Sequence, residues 1–227
     1  MLEIGGRAYY VEHIQRIKHT IKIINQYSTD LEKIGIVGCS IFDQVFKDFF
    51  KKKIFYNLMP PKLIELAEDK KYTIECDLER NSIEFSPPNL LFDGIIFTEV
   101  LEHMFFNDIE IMKNVSKLLR QGGYLFFSVP NVSALGKIIH LSVGTNPYMT
   151  KEKQINGVYG GYGHIREYSL KEAKKLVSSA NLEIISVIGL NDYKNIFNKV
   201  AKLLPKLYAE TIMVIGKNLN QNYKVDS

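Results

Sequence analysis

The sequence predicts an α/β fold whose mainly parallel sheet is covered by helices on both faces. Short apolar segments typical of strands alternate with amphipathic segments typical of helices along most of the 227 residues. This alternation is typical of parallel sheets, because their strands are buried on both faces and are joined by helical crossovers. Sheets of this kind bind ligands beyond the carboxyl ends of their strands, at the switch point beside the first strand.

The predicted elements follow one another in a regular order. The leading segment 9–27 is expected to be helical, because apolar residues recur in it at three- and four-residue steps. Strands are predicted at 34–38, 53–58, 72–77, 92–100, 124–130, 182–190 and 210–218. Helices are predicted at 42–50, 61–69, 108–123 and 169–181.

Several helix ends carry recognisable signals. Pro61 suits the first turn of its helix. Gly122 and Gly123 are expected to end the helix that begins at 108. Ser169 with Glu172 three residues later predicts a capping box at the start of the last helix.

The chain length favours one domain covering 1–227, with residues 1–30 as an N-terminal helical extension. The stretch from 131 to 164 holds six of the 15 glycines. We therefore interpret residues 131–168 as a substrate loop or lid rather than as a domain boundary.

Composition argues against several classes of function. The chain has 29 Lys+Arg against 25 Asp+Glu, and its lysines are scattered, so a nucleic-acid partner is possible but not favoured. Two cysteines suggest no disulfide framework and fit a reducing compartment. No segment has the ~18 apolar residues of a membrane span, so we expect a cytoplasmic protein without a membrane partner. The oligomeric state is not predicted.

Four segments, in this order, resemble the class I S-adenosylmethionine-dependent methyltransferases: "IGIVGCSIF", "FDGIIFTEVLEHM", "LLRQGGYLFFSVPN" and "GHIREYSLKEAKKLVSSANLEII". The resemblance extends from Ile34 to about Gly216. It implies a Rossmann-like seven-stranded sheet whose last strand, "ETIMVIGKN", is antiparallel. It also implies S-adenosylmethionine as the cofactor.

The resemblance implies a role for several residues at the strand ends. Gly38 permits the close turn beside the cofactor, Asn57 corresponds to the ribose-binding acid and Asp77 to the acceptor of the adenine amine. The implied cofactor-binding residues are Gly38, Cys39, Ser40, Asn57, Leu58, Asp77, Leu78, Thr98 and Glu99. Asn57 and Asp77 are also common turn residues, and Leu78 also suits a core position.

The segment "EVLEH" suggests chemistry at the reactive end of the cofactor. Glu99, Glu102 and His103 are spaced to share one face if this turn is helical. Carboxylates and imidazole suit Mg²⁺, Mn²⁺ or Zn²⁺. Ubiquinone-pathway O-methyltransferases and small-RNA 2′-O-methyltransferases have a similar Glu-x-x-Glu-His set, and the RNA enzymes add a later histidine, for which His164 is the candidate.

Two other interpretations of this segment remain open. Without a metal, His103 or His164 would act as the general base. Alternatively, the acidic residues only interact favourably with a helix dipole.

The glycine-rich turn departs from the family pattern. Ile36 replaces an acid, Ser40 and Phe42 replace two glycines, and Asn57 replaces the ribose acid. These changes are expected to weaken cofactor binding by one or two orders of magnitude, at ~1.4 kcal/mol per tenfold.

Three functions are therefore considered. The first and favoured is methyl transfer to an oxygen of a small-molecule or glycan-type acceptor. The second is RNA methylation with a metal site. The third is a catalytically inactive methyltransferase-like binding protein, which the altered turn favours and the retained "EVLEH" and "GHIREYS" segments oppose.

Overall fold

The computed structural model describes residues 16–38, 42–66, 70–79, 90–148, 163–191 and 205–219. Its seven strands form one sheet in the order β3-β2-β1-β4-β5-β7-β6. The strands are β1 (Lys33–Val37), β2 (Ile54–Met59), β3 (Thr73–Glu75), β4 (Phe92–Thr98), β5 (Leu119–Pro130), β6 (Leu182–Leu190) and β7 (Thr211–Asn218). Strands β1 to β5 pair in parallel, and β7 is antiparallel to both β5 and β6. The predicted fold class is confirmed, with β7 as the antiparallel last strand.

Five helices lie within the described residues. They are α1 (residues 16–25), α2 (Phe42–Phe49), α3 (Asp108–Lys117), α4 (Leu135–Ser142) and α5 (Leu170–Ser179). The predicted capping box at the start of α5 is present, because Ser169 accepts from the Glu172 amide and Glu172 accepts from the Ser169 amide. No helix in the described parts of the chain is long and apolar enough to cross a membrane.

The sheet separates two hydrophobic clusters. One cluster includes buried residues of α3 and α5, such as Met112 and Val177, and the other includes residues of α1 and α2, such as Ile24 and Phe46. Successive residues of one strand belong to opposite clusters, as Ile95 and Ile96 of β4 do. This arrangement follows from the strand period of two, which points neighbouring side chains to opposite faces.

The predicted helix 108–123 is wrong in its last six residues. Helix α3 ends at Lys117, and the chain enters β5 two residues later. Gly122 has φ +76°, and a Cβ on Gly123 would lie 3.0 Å from the carbonyl oxygens of Arg120 and Phe92. The two glycines therefore do not end the helix. They allow an irregular start of β5, where the register against β4 shifts between Phe92 and Gly94.

Two short segments that the sequence suggested as α-helical are 3₁₀ turns. Pro61–Leu66 forms one of them, and residues 67–69 of that predicted helix lie outside the described residues. Two consecutive prolines at its start remove two amide donors. Leu101–His103 forms the other.

The two edges of the sheet differ in length. Strand β3 has three residues, whereas β6 has nine and shifts register against β7 between Ile184 and Ser186. The side chain of Lys206 donates to the carbonyl oxygen of Val187 on β6.

Candidate active site

The turn after β1 needs a glycine for two reasons. Gly38 has φ +93°, which L side chains rarely adopt, and its Cβ would lie 3.3 Å from Val100 Cγ2. Its amide donates to the Leu58 carbonyl at 3.1 Å, so the turn is closed onto β2. The other two residues predicted in this turn, Cys39 and Ser40, lie outside the described residues.

Asn57 lies beside β1, directly opposite Ile36 in the parallel register. It is only 8% exposed, and its Oδ1 atom has no hydrogen-bond partner within the described parts of the chain. A buried amide oxygen without a donor costs free energy. Asn57 therefore presents a buried acceptor without a donor among the described residues, and the predicted ribose contact stays a prediction.

The other residues predicted around the adenine occupy different environments. Asp77 lies just beyond β3, and its Oδ1 accepts from the Glu79 amide at 3.1 Å, which closes a turn. Leu58 and Leu78 are 1% and 2% exposed and belong to the core cluster under α3 and α5. The turn and core interpretations of Asp77 and Leu78 are thus visible in the structure.

Glu99 follows Thr98 at the carboxyl end of β4 and has φ +55°, which is unusual for a residue with a long side chain. Its carboxylate accepts from Ser128 Oγ at 2.8 Å and from Arg16 Nη1 at 2.9 Å. These bonds join the end of β4 to β5 and to α1. They hold the carboxylate at the edge of the sheet where ligands of parallel sheets bind.

Glu102, His103 and His164 form a compact cluster next to this edge. The Glu102 side chain is fully buried, and its Oε1 atom lies 3.8 Å from His103 Nε2 and 3.9 Å from His164 Nε2. The two imidazole rings meet edge to face with their centroids 5.1 Å apart. One potential ligand atom from each residue lies within 4.8 Å of the other two, so the cluster can hold a metal ion or one substrate hydroxyl.

Burial raises the pKa of Glu102 well above its usual range, and the negative charge of Glu99 raises that pKa further. Neither carboxylate oxygen of Glu102 has a hydrogen-bond partner in the part of the chain that the structure describes. A fully buried and unpartnered carboxyl is unfavourable in a site that serves only packing. It suits a site that gains a cation or a ligand proton.

The structure brings together three of the four predicted metal ligands. Glu99 is absent from the cluster in the described residues, because its carboxylate is bound to Arg16 and Ser128. The helical turn that a shared face of "EVLEH" would need does not include Glu99, since the 3₁₀ turn begins only at Leu101. His164 reaches the cluster because the Ile165 amide donates to the Glu102 carbonyl at 2.7 Å.

Two charged residues near His164 were not predicted. Glu167 Oε1 lies 3.4 Å from His164 Nδ1, and Glu167 Oε2 accepts from Lys137. Lys137 lies in helix α4 of the predicted lid, which is otherwise mostly apolar. A single lysine in such a helix is the sequence feature that could have indicated its role.

Comparison with known proteins indicates a family. A family model described as a methyltransferase domain matches residues 59–187, which is more than half of the chain. No curated protein sequence matches the chain.

Solved structures of low sequence identity share the fold. A SAM-dependent methyltransferase from Thermotoga maritima is 13% identical with a TM-score of 0.60, covering 93% of each chain. The 1,6-didemethyltoxoflavin-N1-methyltransferase of Burkholderia thailandensis is 13% identical with a TM-score of 0.57, covering 95% of this chain and 83% of that one. An O-methyltransferase family protein of the same organism is 10% identical with a TM-score of 0.58 over 95% of this chain, which spans only 60% of that protein.

Proposed function

The chain belongs to the methyltransferase domain family and is an S-adenosylmethionine-dependent methyltransferase, and we propose that it methylates an oxygen of a small-molecule or glycan-type acceptor. The cluster of Glu102, His103 and His164 carries this proposal. A hydroxyl acceptor must lose its proton during methyl transfer, whereas a neutral amine attacks through its lone pair. A histidine within hydrogen-bond reach of the acceptor supplies the base that a hydroxyl needs.

In this proposal the cofactor lies along the carboxyl edge of the sheet. The Gly38 turn faces its amino-acid end, Asn57 accepts from a ribose hydroxyl, and Asp77 lies toward the adenine. Its methyl group then points to the region between Glu99 and the histidine cluster. The protein contributes mainly by aligning the acceptor oxygen with the methyl group, because methyl transfer needs an in-line approach.

We further propose that Glu102, His103 and His164 can hold a divalent cation. The fit rests on the two unpartnered oxygens of Glu102 and on the 4.8 Å limit that encloses the three ligand atoms. Mixed oxygen and nitrogen ligands suit Mn²⁺ or Zn²⁺ more than Mg²⁺, which prefers oxygen. When bound, such an ion lowers the pKa of a coordinated hydroxyl.

The RNA-directed alternative is less well supported. It invoked four ligands, and Glu99 is bound to Arg16 and Ser128 instead. The third alternative is an inactive binding protein. It predicts that the chain does not bind the cofactor, which the titration described next would detect.

The test is calorimetric titration with S-adenosylhomocysteine, with Mn²⁺, with Zn²⁺ and with EDTA. We expect cofactor binding in all three conditions and a separate metal signal that Glu102→Ala abolishes. No heat and no thermal shift at millimolar S-adenosylhomocysteine would overturn the proposal.

Transfer of a labelled methyl group then identifies the acceptor atom. Matched hydroxyl and amino sugars should show transfer to oxygen only, and transfer confined to the amine would favour N-methylation instead. His164→Ala should abolish turnover while leaving cofactor affinity unchanged. His140→Ala is the matched control, because His140 is exposed and bonds to Thr145 outside the cluster.

A further inference from the structure

Glu167, Lys137 and Asn131 form a chain of contacts that ends at His164. We propose that Glu167 is a positioning residue that sets the orientation and tautomer of His164, and that Lys137 holds Glu167 in place. This inference rests on the proposed function of His164 as a base or ligand for the acceptor.

The two ring nitrogens of His164 lie near two different carboxyl groups. Its Nδ1 atom lies 3.4 Å from Glu167 Oε1, and its Nε2 atom lies 3.9 Å from Glu102 Oε1. A carboxylate only accepts, and only the Glu167 contact is within hydrogen-bond distance, so it favours the tautomer with the proton on Nδ1. The lone pair on Nε2 is then directed toward the cluster, where a hydroxyl proton or a cation would be taken up. Contacts of this kind are often long before the substrate binds and shorten in the complex.

The carboxylate of Glu167 is suited to remain ionised. Its side chain is 9% exposed, and burial alone would raise its pKa, but hydrogen bonds from His164 and Lys137 and the charge of Lys137 lower that pKa overall. Glu167 is therefore an anion held by one cation on one side while it faces the imidazole on the other.

The chain of contacts is anchored on the sheet. Lys137 Nζ also donates to the Asn131 carbonyl at 3.1 Å, directly beyond β5. Asn131 is fully buried, and its side-chain amide donates to the carbonyls of Leu207 and Ala209 at 2.7 Å each. The position of Glu167 is thus fixed by backbone groups that do not depend on the substrate.

The segment that carries both residues is held by two backbone hydrogen bonds. The Ile165 amide donates to the Glu102 carbonyl, and the Tyr168 amide donates to the Pro130 carbonyl at 3.1 Å. His164 and Glu167 therefore lie on one short stretch that is bonded at Ile165 to the 3₁₀ turn of Glu102 and at Tyr168 to the end of β5. A positioning residue needs a fixed backbone of this kind, because it acts by orienting a second side chain.

The tautomer of His164 is the most direct readout. We would measure it by ¹⁵N NMR in EDTA, under conditions where imidazole is neutral, in the wild type and in Glu167→Gln. The expected result is a dominant Nδ1–H form in the wild type and a mixture in the variant. An equal mixture in the wild type, or an unchanged tautomer in the variant, would overturn the proposal.

Kinetics provide the second readout. Glu167→Gln should lower kcat by roughly 10- to 100-fold, with little change in the affinity for S-adenosylhomocysteine. Lys137→Met should also lower kcat. The fold-loss of kcat in the double variant should be much smaller than the product of the two single fold-losses.

Glu172→Gln is the matched control. Glu172 is a carboxylate five residues away that bonds to Ser169 and Arg166. Its variant should lower Tm but leave the His164 tautomer and kcat unchanged. Equal kinetic losses for both variants would assign Glu167 a purely structural role. If the wild type shows no methyl transfer at all, the proposed function fails, whereas the tautomer result still decides whether Glu167 orients His164.

Discussion

Two polar side chains of the site are buried without a hydrogen-bond partner among the described residues. They are Asn57, through Oδ1, and Glu102, through both carboxylate oxygens. An unsatisfied buried polar group costs about 1–3 kcal/mol, more if charged, so a chain under selection for stability alone would replace it. A ligand bound beside Asn57 and Glu102, as we propose, would satisfy both groups.

Asn57→Asp should strengthen cofactor binding. A carboxylate accepts a charge-assisted hydrogen bond that is about 1 kcal/mol stronger than the neutral bond of the amide, so the Kd for S-adenosylhomocysteine should fall roughly fivefold. The free protein should lose thermal stability, because the introduced carboxylate would be a buried charge without a partner. Calorimetric titration and thermal unfolding with and without the cofactor measure both effects.

Asn114→Asp serves as the control for this substitution. Asn114 is also buried, but it donates to the Leu78 carbonyl in the core. This variant should lose stability without any gain in affinity. Unchanged or weaker binding in Asn57→Asp would place the ribose elsewhere.

Residue patterns in the sequence drew attention to Asn57 but not to the contacts of His164 with Glu167 and Lys137. Asn57 was singled out from its place in the second predicted strand, and its ribose contact stays a prediction. Lys137 and Glu167 are 30 residues apart and meet only through the tertiary fold, so no local spacing indicates their contact. For Glu99 the local spacing to Glu102 predicted a shared metal site. The structure instead shows an ion pair with Arg16 of α1, which no local spacing indicates.

At the scale of the elements, Asp93 joins three strands at the edge of the sheet opposite the site. Its Oδ2 atom accepts from the amides of Glu32 and Lys33 at 2.9 and 2.7 Å, and its Oδ1 accepts from Arg120. Burial alone would raise the pKa of Asp93, but the hydrogen bonds from Lys33, Arg120 and Glu32 outweigh it and lower that pKa.

Asp93→Asn should therefore destabilise the protein in a pH-dependent manner. A lowered pKa means that the carboxylate stabilises the fold above the unfolded-state pKa of about 3.9, and that this stabilisation is lost as pH falls through the folded-state pKa. At pH 7 we expect a loss of about 1–3 kcal/mol in the free energy of unfolding, measured in urea. The difference from wild type should shrink steadily below about pH 4.

Glu75→Gln is the control, because Glu75 is an exposed carboxylate on β3. It should change the free energy of unfolding by less than about 0.5 kcal/mol throughout. A loss in Asp93→Asn that stays constant down to acid pH would mean that geometry rather than charge makes the contribution.

The order of the strands was predictable, whereas helix α4 within the predicted lid and the ends of several elements were not. Short apolar strands are marked by their composition, so all seven strands could be located. Glycine marks the end of a helix and the irregular start of a strand alike. The pair at 122–123 was therefore assigned to the wrong element, since only the close carbonyls of Arg120 and Phe92 distinguish the two.

At the scale of the whole molecule, one sheet is shared by two core clusters. The central strands contribute alternate side chains to each cluster, so neither cluster can open without disturbing the strands of the other. We therefore expect one cooperative unfolding transition. Calorimetry should give a van't Hoff enthalpy equal to the calorimetric enthalpy.

Matched substitutions in the two clusters test this coupling. Ile24→Ala in α1 and Met112→Ala in α3 each remove a fully buried side chain and should each cost about 2–5 kcal/mol. Both should lower the same single Tm, by about 2–4 °C for each kcal/mol. Two transitions, with only one of them moved by each variant, would show that the clusters unfold independently.

The edges of the sheet have a consequence for association between copies of the chain. A long edge strand rich in apolar residues, such as the nine-residue β6, is a template for pairing with another strand. Here the bulge between Ile184 and Ser186 interrupts the regular ladder, and Lys206 already binds the Val187 carbonyl. The opposite edge, β3, offers three residues, which is too short for stable pairing. Both ends of the sheet thus resist the edge-to-edge growth that leads to aggregates.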